Sequence, residues 1–287
     1  MLRITNHKNN LRFSCAVLFV ILLLTACSPT PTASVSPQPE TIETLPSVSS
    51  PESTADLPTS ESATGPENLT VSLDLNGIGQ NFTTEVIDTS SVDKENAPYW
   101  EILPQYTVLT ISGYPITNHL MKPQIFIYPV NELKNTNEEA GKIANNLQAL
   151  LKSQEPGENL PFLPMFNAAQ VMSAQVKFMD FQNGQGVRFI TQFDQAPLPI
   201  NNYELIYTYQ GLTKDGLYYV AAVLPVNLSG LPADQQITDQ DPTDFVNNFP
   251  AYLENTIQTI NQQAAGDFSP TLTSLDEMIQ SIEIKQK

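Results

Sequence analysis

Two runs of alternating side chains, each broken once by a turn signal, most constrain what this chain can fold into. They are "AQVKFMDFQNGQGVRFITQF", Ala174 to Phe193, and "YELIYTYQGLTKDGLYYVAAVLPV", Tyr203 to Val226. Both are rich in β-branched and aromatic residues, with turns expected at Asn183-Gly184 and around Lys214-Asp215-Gly216. Such runs pair as β-hairpins, because these dipeptides reach positive φ at little cost and the flanking side chains alternate between two faces. With the second turn centred on Thr213-Lys214, Tyr209 meets Tyr218 and Tyr207 meets Val220. One face then carries Tyr203, Leu205, Tyr207, Tyr209, Tyr218, Val220 and Leu224. That face suits a core. Tyr207 and Tyr209 also suit a binding surface, since each joins an apolar ring to a polar tip.

The same pattern recurs upstream. "LTVSLDLNGIGQNFTTEVI" opens with Leu69, Val71, Leu73 and Leu75 on one face, and Asn76-Gly77 predicts a tight hairpin to the strand after it. "QYTVLTISGYPI" and "KPQIFIYPV" read as two further strands. The period then changes. Ala140, Ile143, Ala144, Leu147, Leu150 and Leu151 form one helical stripe, predicting a helix over 137–152 behind a Thr136/Glu139 capping box. A second helix is expected over 243–264, with Asp241 as N-cap and Pro242 at its first position. It turns Phe245, Phe249, Leu253, Ile257 and Ile260 inward and kinks or restarts at Pro250. A third, over 275–281, begins with a Ser274/Glu277 capping box. Hairpins with helices inserted and appended define an α+β class: an antiparallel sheet of about six or more strands with helices packed on it.

The amino-terminal part has another logic. Arg3, Lys8 and Arg12 precede an apolar run from Phe13 to Leu24, and no acid occurs before Cys27. About a dozen apolar residues are too few for a spanning helix of about 20 and fit a signal-peptide core. The run ends in Leu24-Thr25-Ala26-Cys27, which resembles the bacterial lipobox: a branched apolar residue, two small residues and cysteine. The resemblance implies removal of 1–26 as a signal peptide, thioether attachment of a diacylglyceryl group to Cys27, and often acylation of the new amino terminus. Two or three acyl chains anchor a protein where one holds it only marginally. The alternative is an uncleaved signal anchor with an incidental cysteine. Cys15 lies inside the apolar run, so the remaining domain has no disulfide.

From Ser28 to Glu67, 24 of 40 residues are Ser, Thr or Pro, with six acids and no Lys, Arg or aromatic residue. Too little apolar surface is available there to offset ordering entropy, so 27–67 is expected to be a lipidated cysteine and disordered linker. Residues 68–287 are then one globular domain. All 30 acids but only 10 of 13 basic residues follow Cys27, leaving the domain near −14. That argues against nucleic acid as a partner, so none is expected, and against lying flat on anionic lipid.

The closing "LDEMIQSIEIK", after a long helix and the hairpin strand "GLYYVAAVLPV", is similar to the ending of PsbP-like domains, the family of the photosystem II extrinsic protein. The middle, from "IFIYPVNEL" to "QGLTKDGLYYVAAVLP", resembles uncharacterised bacterial lipoproteins. These resemblances imply the α+β fold and bring no catalytic residue with them. The opening hairpin at Leu69 departs from the PsbP pattern.

Subtraction bounds the chemistry. Past Cys27 there is no cysteine and only one histidine, His119, in a connection between strands. A zinc cage of Cys and His and a thiol nucleophile are thereby excluded, and no phosphate-cradling glycine loop occurs. No catalytic residue, metal site or cofactor is expected, although a carboxylate pair among the domain's acids stays open. Asp239, Asp241 and Asp244 could hold calcium; capping by Asp241 and a favourable charge from Asp244 at a helix start explain them as well. Arg188, the only arginine after Cys27, either pairs with Asp180 or Asp194 or anchors a ligand through its planar fork. "LPFLPMF", Leu160 to Phe166, is too apolar for a free loop. It either closes the core or forms the lip of a hydrophobic groove, with Phe162, Met165 and Phe166 as contacts.

The expected function is a membrane-anchored lipoprotein on the extracytoplasmic side of a bacterial membrane, acting as a non-enzymatic binding or assembly module for an envelope protein or ligand. The alternatives are an envelope hydrolase with a carboxylate site and a calcium-dependent adhesion module.

Overall fold

The computed structural model describes residues 61–64, 69–157, 159–238 and 240–286, all within one compact unit, Thr54–Lys287. The signal peptide, Cys27, the greater part of the linker and Asp239 lie outside the described residues. Within them no helix is long and apolar enough to cross a membrane.

A seven-stranded antiparallel sheet organises the unit, in the order β3 (Asn81–Ile87), β4 (Tyr106–Ser112), β5 (Gln124–Pro129), β9 (Tyr218–Pro225), β8 (Ile206–Thr213), β7 (Gly184–Asp194) and β6 (Ala169–Phe181). The central strands are apolar on both sides and read as continuous hydrophobic runs, as strands covered on both faces do. Val187, Phe189, Ile206, Tyr219, Ala221 and Val223 point to one face, where α1 (Val130–Thr136), α2 (Glu138–Ser153) and Leu160, Phe162 and Leu163 complete a core. Ile125, Ile127, Tyr207, Tyr209, Val220 and Leu224 point to the other. There they meet α4 (Leu272–Gln280), Ile260 of α3 (Pro242–Gln262) and a small sheet. That sheet has the order β1 (Glu61–Thr64), β2 (Leu69–Leu73) and β12 (Glu283–Gln286), and a short pair joins β10 (Asn227–Leu228) to β11 (Phe268–Ser269).

Four expectations are corrected. β1 pairs with β2, so four residues assigned to the linker belong to the folded unit. Asn76-Gly77 does adopt positive φ (49° and 74°), yet β2 and β3 enter different sheets, so the turn redirects the chain instead of closing a hairpin. The first β-hairpin loop is Gln182-Asn183, one residue earlier than expected, because Phe181 pairs with Gly184. In the second hairpin Tyr209 faces Ala222 and Tyr207 faces Leu224, four positions further along β9 than predicted. An even shift keeps every side chain on its face, so the predicted face survives the wrong register.

The helix starts also moved. Asn137 caps α2 by accepting from Ala140 N at 2.9 Å, since Thr136 is the last residue of α1. Thr271 caps α4, accepting from Ser274 N at 3.1 Å. Asp241 caps α3 as expected, accepting from Thr243 N at 2.8 Å, and Pro242 opens that helix. Of the five residues expected inward on α3, Phe245 and Ile260 are buried and the others are half-buried.

Candidate functional site: an aromatic groove beside α2

The segment 160–166 is fixed from beneath by one side chain. Gln210, fully buried on β8, accepts from Leu163 N through Oε1 at 2.9 Å and donates to Leu163 O through Nε2 at 3.0 Å. Tyr219 Oη donates to the same Oε1 at 2.7 Å, and Gln210 Nε2 also donates to Thr208 Oγ1 at 2.8 Å. A segment with two prolines can offer few backbone donors. The amide of Gln210 satisfies the donor and acceptor of Leu163 where a neighbouring strand would otherwise be needed. Leu160, Phe162 and Leu163 are therefore buried, while Met165 and Phe166 are half-buried.

Both readings of this segment hold at once, because its first half closes the core and its second half forms a lip. Phe162, Phe166 and Phe193 cluster, with ring centroids 4.5 to 5.3 Å apart. Together with Ile143 and Leu150 of α2 they line an open groove of about 1180 Å³. Glu139, Glu155, Asn146, Asn159 and Gln170 supply its polar lining, and no basic described residue lines it. Gln170 Oε1 accepts from Leu160 N at 3.0 Å, whereas its Nε2 is buried without an acceptor among the described residues. Glu139 is engaged by Lys142 Nζ at 2.8 Å, and that lysine also reaches Glu138 at 2.9 Å. Phe193 and Gln170 were not singled out from the sequence, and Ile143 was expected only as part of the buried stripe of α2. Phe193 was signalled by alternation with Val187 and Phe189 on β7; the orphaned amide of Gln170 had no signal.

The other expected contacts are elsewhere. The core reading of the face carrying Tyr207 and Tyr209 holds and the binding-surface one is corrected, for both are fully buried. Tyr209 lies flat where Gly186 and Gly211 carry no side chain; a Cβ on either would come within 2.6 Å of its ring. Its hydroxyl donates to Met179 O at 3.0 Å. Arg188 pairs with neither Asp180 nor Asp194 but with Asp276 of α4, at 3.1 Å from Nε and 3.3 Å from Nη2. Tyr207 Oη donates to the same carboxylate at 2.9 Å, as does Lys177 Nζ at 2.8 Å. Burial first, and the facing Asp276 next, push the Tyr207 hydroxyl far above its ordinary pKa. Arg188 is thus saturated by the protein's own acid and has no fork left for a ligand.

His119 is half-buried and clamps two loops. Its Nδ1 accepts from Met121 N at 2.9 Å, so Nε2 carries the hydrogen and donates to Leu205 O at 2.9 Å. Burial lowers its pKa and keeps the ring neutral. One carboxylate pair does emerge: Gln192 Nε2 lies 2.7 Å from Asp194 Oδ2 and 3.3 Å from Glu204 Oε2. Burial, with the charge of Glu204 beside it, pushes Asp194 up to about 6 against the pull of the Gln192 hydrogen bond. Neither carboxylate lines the groove. Among the described residues no three His, Cys, Asp or Glu side chains gather to hold a metal ion.

The fold and site together define a mixed α+β protein: among the described residues, four helices, a seven-stranded antiparallel sheet covered on both faces, and an aromatic groove at one margin. No family model, curated relative or solved structure matches the chain.

Proposed function

We propose that this chain is a lipid-anchored envelope protein, held through Cys27 on the extracytoplasmic side of a bacterial membrane, and that its domain is a non-enzymatic binding or assembly module. The groove is its contact. The observation that carries this reading is the Phe162–Phe166–Phe193 cluster, part core and part lip, set on a segment that Gln210 holds in place. A half-exposed aromatic cluster on a rigid support presents apolar area at little further entropic cost on binding. The PsbP-like relationship belongs to the same proposal, supported by the closing order of hairpin, long helix and short helix.

In-cell crosslinking from a photoreactive residue at position 143 tests the contact. A specific adduct that disappears with Phe166→Ser is expected; adducts indifferent to that change would refute the groove. Incorporation of labelled palmitate should vanish with Cys27→Ala, and label that persists would remove the anchor.

A second reading rests on Asp194 and Glu204, two carboxylates on one amide with one of them held near pKa 6. A carboxyl raised in this way beside a second acid is what general acid catalysis of glycoside or peptide hydrolysis calls for. Turnover of cell-wall polymer by the full chain, lost in Asp194→Asn, would establish it in place of the binding module.

A further inference from the structure

We infer that the groove takes a cationic polypeptide segment, bound through apolar side chains on the phenylalanine cluster and through a main-chain carbonyl on Gln170. This rests on the reading of the groove as the contact and adds the chemistry of its occupant. Three observations select it. The floor formed by Phe162, Phe166 and Phe193 demands apolar anchors. Gln170 Nε2 is a buried donor with no acceptor among the described residues, on a side chain that lines the groove and whose oxygen is already held by Leu160 N. A buried amide hydrogen left unpaired is costly, and a turn of this half-buried side chain toward the groove would bring it to a carbonyl oxygen of the occupant. An acyl chain has no such oxygen along its length, whereas an extended peptide offers one at every residue.

Charge decides among the polypeptides. Glu139 and Glu155 line the groove and no basic described residue does. Lys142 occupies Glu139, and no basic partner of Glu155 is found among the described residues. The segment from Ser28 to Glu67 carries six acids and no base, so it meets like charge here. A second copy, near −14 over 68–287, does so too. A partner bearing Lys or Arg beside its apolar anchors gains where both of these lose.

The test uses the full chain in phosphatidylcholine nanodiscs and fluorescent acetyl-Lys-Leu-Lys-Phe-Lys-Leu-amide, with the peptide carrying Glu for every Lys as its counterpart. The lysine peptide should bind saturably, and the glutamate peptide about tenfold or more weaker. Phe166→Ser should abolish binding, while Glu155→Lys and Gln170→Leu should each weaken it roughly three- to tenfold. Glu254→Lys, a charge change on α3, should leave it unchanged. Glu155 is exposed, so its variant decides the matter even if Phe166→Ser fails to fold. Equal binding of the two peptides, or equal losses in Glu155→Lys and Glu254→Lys, would overturn the proposal. If instead dansyl-undecanoic acid binds in a Phe166-dependent way and neither peptide does, the occupant is an acyl chain, and the groove stands as the contact without the peptide.

Discussion

Arg188 on β7 and Asp276 on α4, 88 residues apart, form a buried fork-to-fork pair that joins the sheet to the closing helix. The pair sits in a wider knot. A bulge in β6 puts Gln175 at φ 54°, which turns it off the sheet. Its carbonyl accepts from Arg188 Nη1, and its Nε2 donates to Ile260 O at 2.8 Å and Gln263 O at 3.0 Å, where α3 ends. Four elements thus meet on one arginine and one glutamine.

Breaking this pair from one side is expected to be severe. Arg188→Met leaves a buried carboxylate with Tyr207 and a half-exposed Lys177 as its remaining partners, at a cost of about 3–5 kcal/mol. The double variant Arg188→Met with Asp276→Leu should recover a large part of that loss, since a well-packed apolar pair needs no desolvation of charge. Urea denaturation of Arg188→Met, Asp276→Leu and the double variant measures both effects, and simple additivity would contradict the coupling.

Gln210 is expected to hold the groove's lip more than the core. Gln210→Leu keeps the volume but strands Leu163 N, Leu163 O and the Tyr219 hydroxyl, costing about 2–4 kcal/mol by the usual penalty for unpaired buried groups. Hydrogen exchange should accelerate at 160–166 before it does on β8. Uniform acceleration would show that the segment is not separately tethered.

Asp194 gives a signed pH dependence. Its folded pKa, near 6, lies above the ordinary value, so the folded state binds the extra proton between about pH 4 and 6. This contribution to stability is therefore fully present below that window and is lost as pH rises through 6. Asp194→Asn should raise stability at pH 7.5 by an amount on the order of 1 kcal/mol, with the shift discounted for water reaching the carboxyl. Relative to the parent, the variant's melting temperature should fall less between pH 4 and pH 7. An unchanged difference would mean that Asp194 is charged throughout.

Tyr128 is fully buried, packed on Tyr106 and Phe126 with centroids 4.9 and 6.2 Å away, and its hydroxyl has no partner among the described residues. Deleting an unpaired buried hydroxyl removes a desolvation penalty, so Tyr128→Phe should be neutral or stabilising by about 1 kcal/mol. A loss greater than that in thermal unfolding would reveal a hydrogen bond to this oxygen.

The sequence by itself determined most of the strands and helices and which side of each is buried, β1 and α1 being the exceptions. Period two in Tyr203–Val226 and period 3.6 in 138–151 are local consequences of backbone geometry, legible without partners. Asp241-Pro242 was equally legible, because a cap acts within three residues. Tertiary structure alone decided whatever depends on distant neighbours. Leu69 to Leu73 pairs with the final strand instead of with the one after its turn, since Ile284 and Val71 meet only when α4 has docked. Arg188 chose Asp276 over nearer acids because α4 delivers that carboxylate to the face of β7 that Arg188 occupies. The tyrosines became core because two glycines on neighbouring strands make room for Tyr209, and the α4 acid satisfies Tyr207. The groove was half visible: its phenylalanines stood out as too apolar for a loop, while Gln170 and Gln210 look like ordinary polar strand residues. Hydrophobic alternation names a face, but which polar atom on that face finds a partner is fixed only when the layers close.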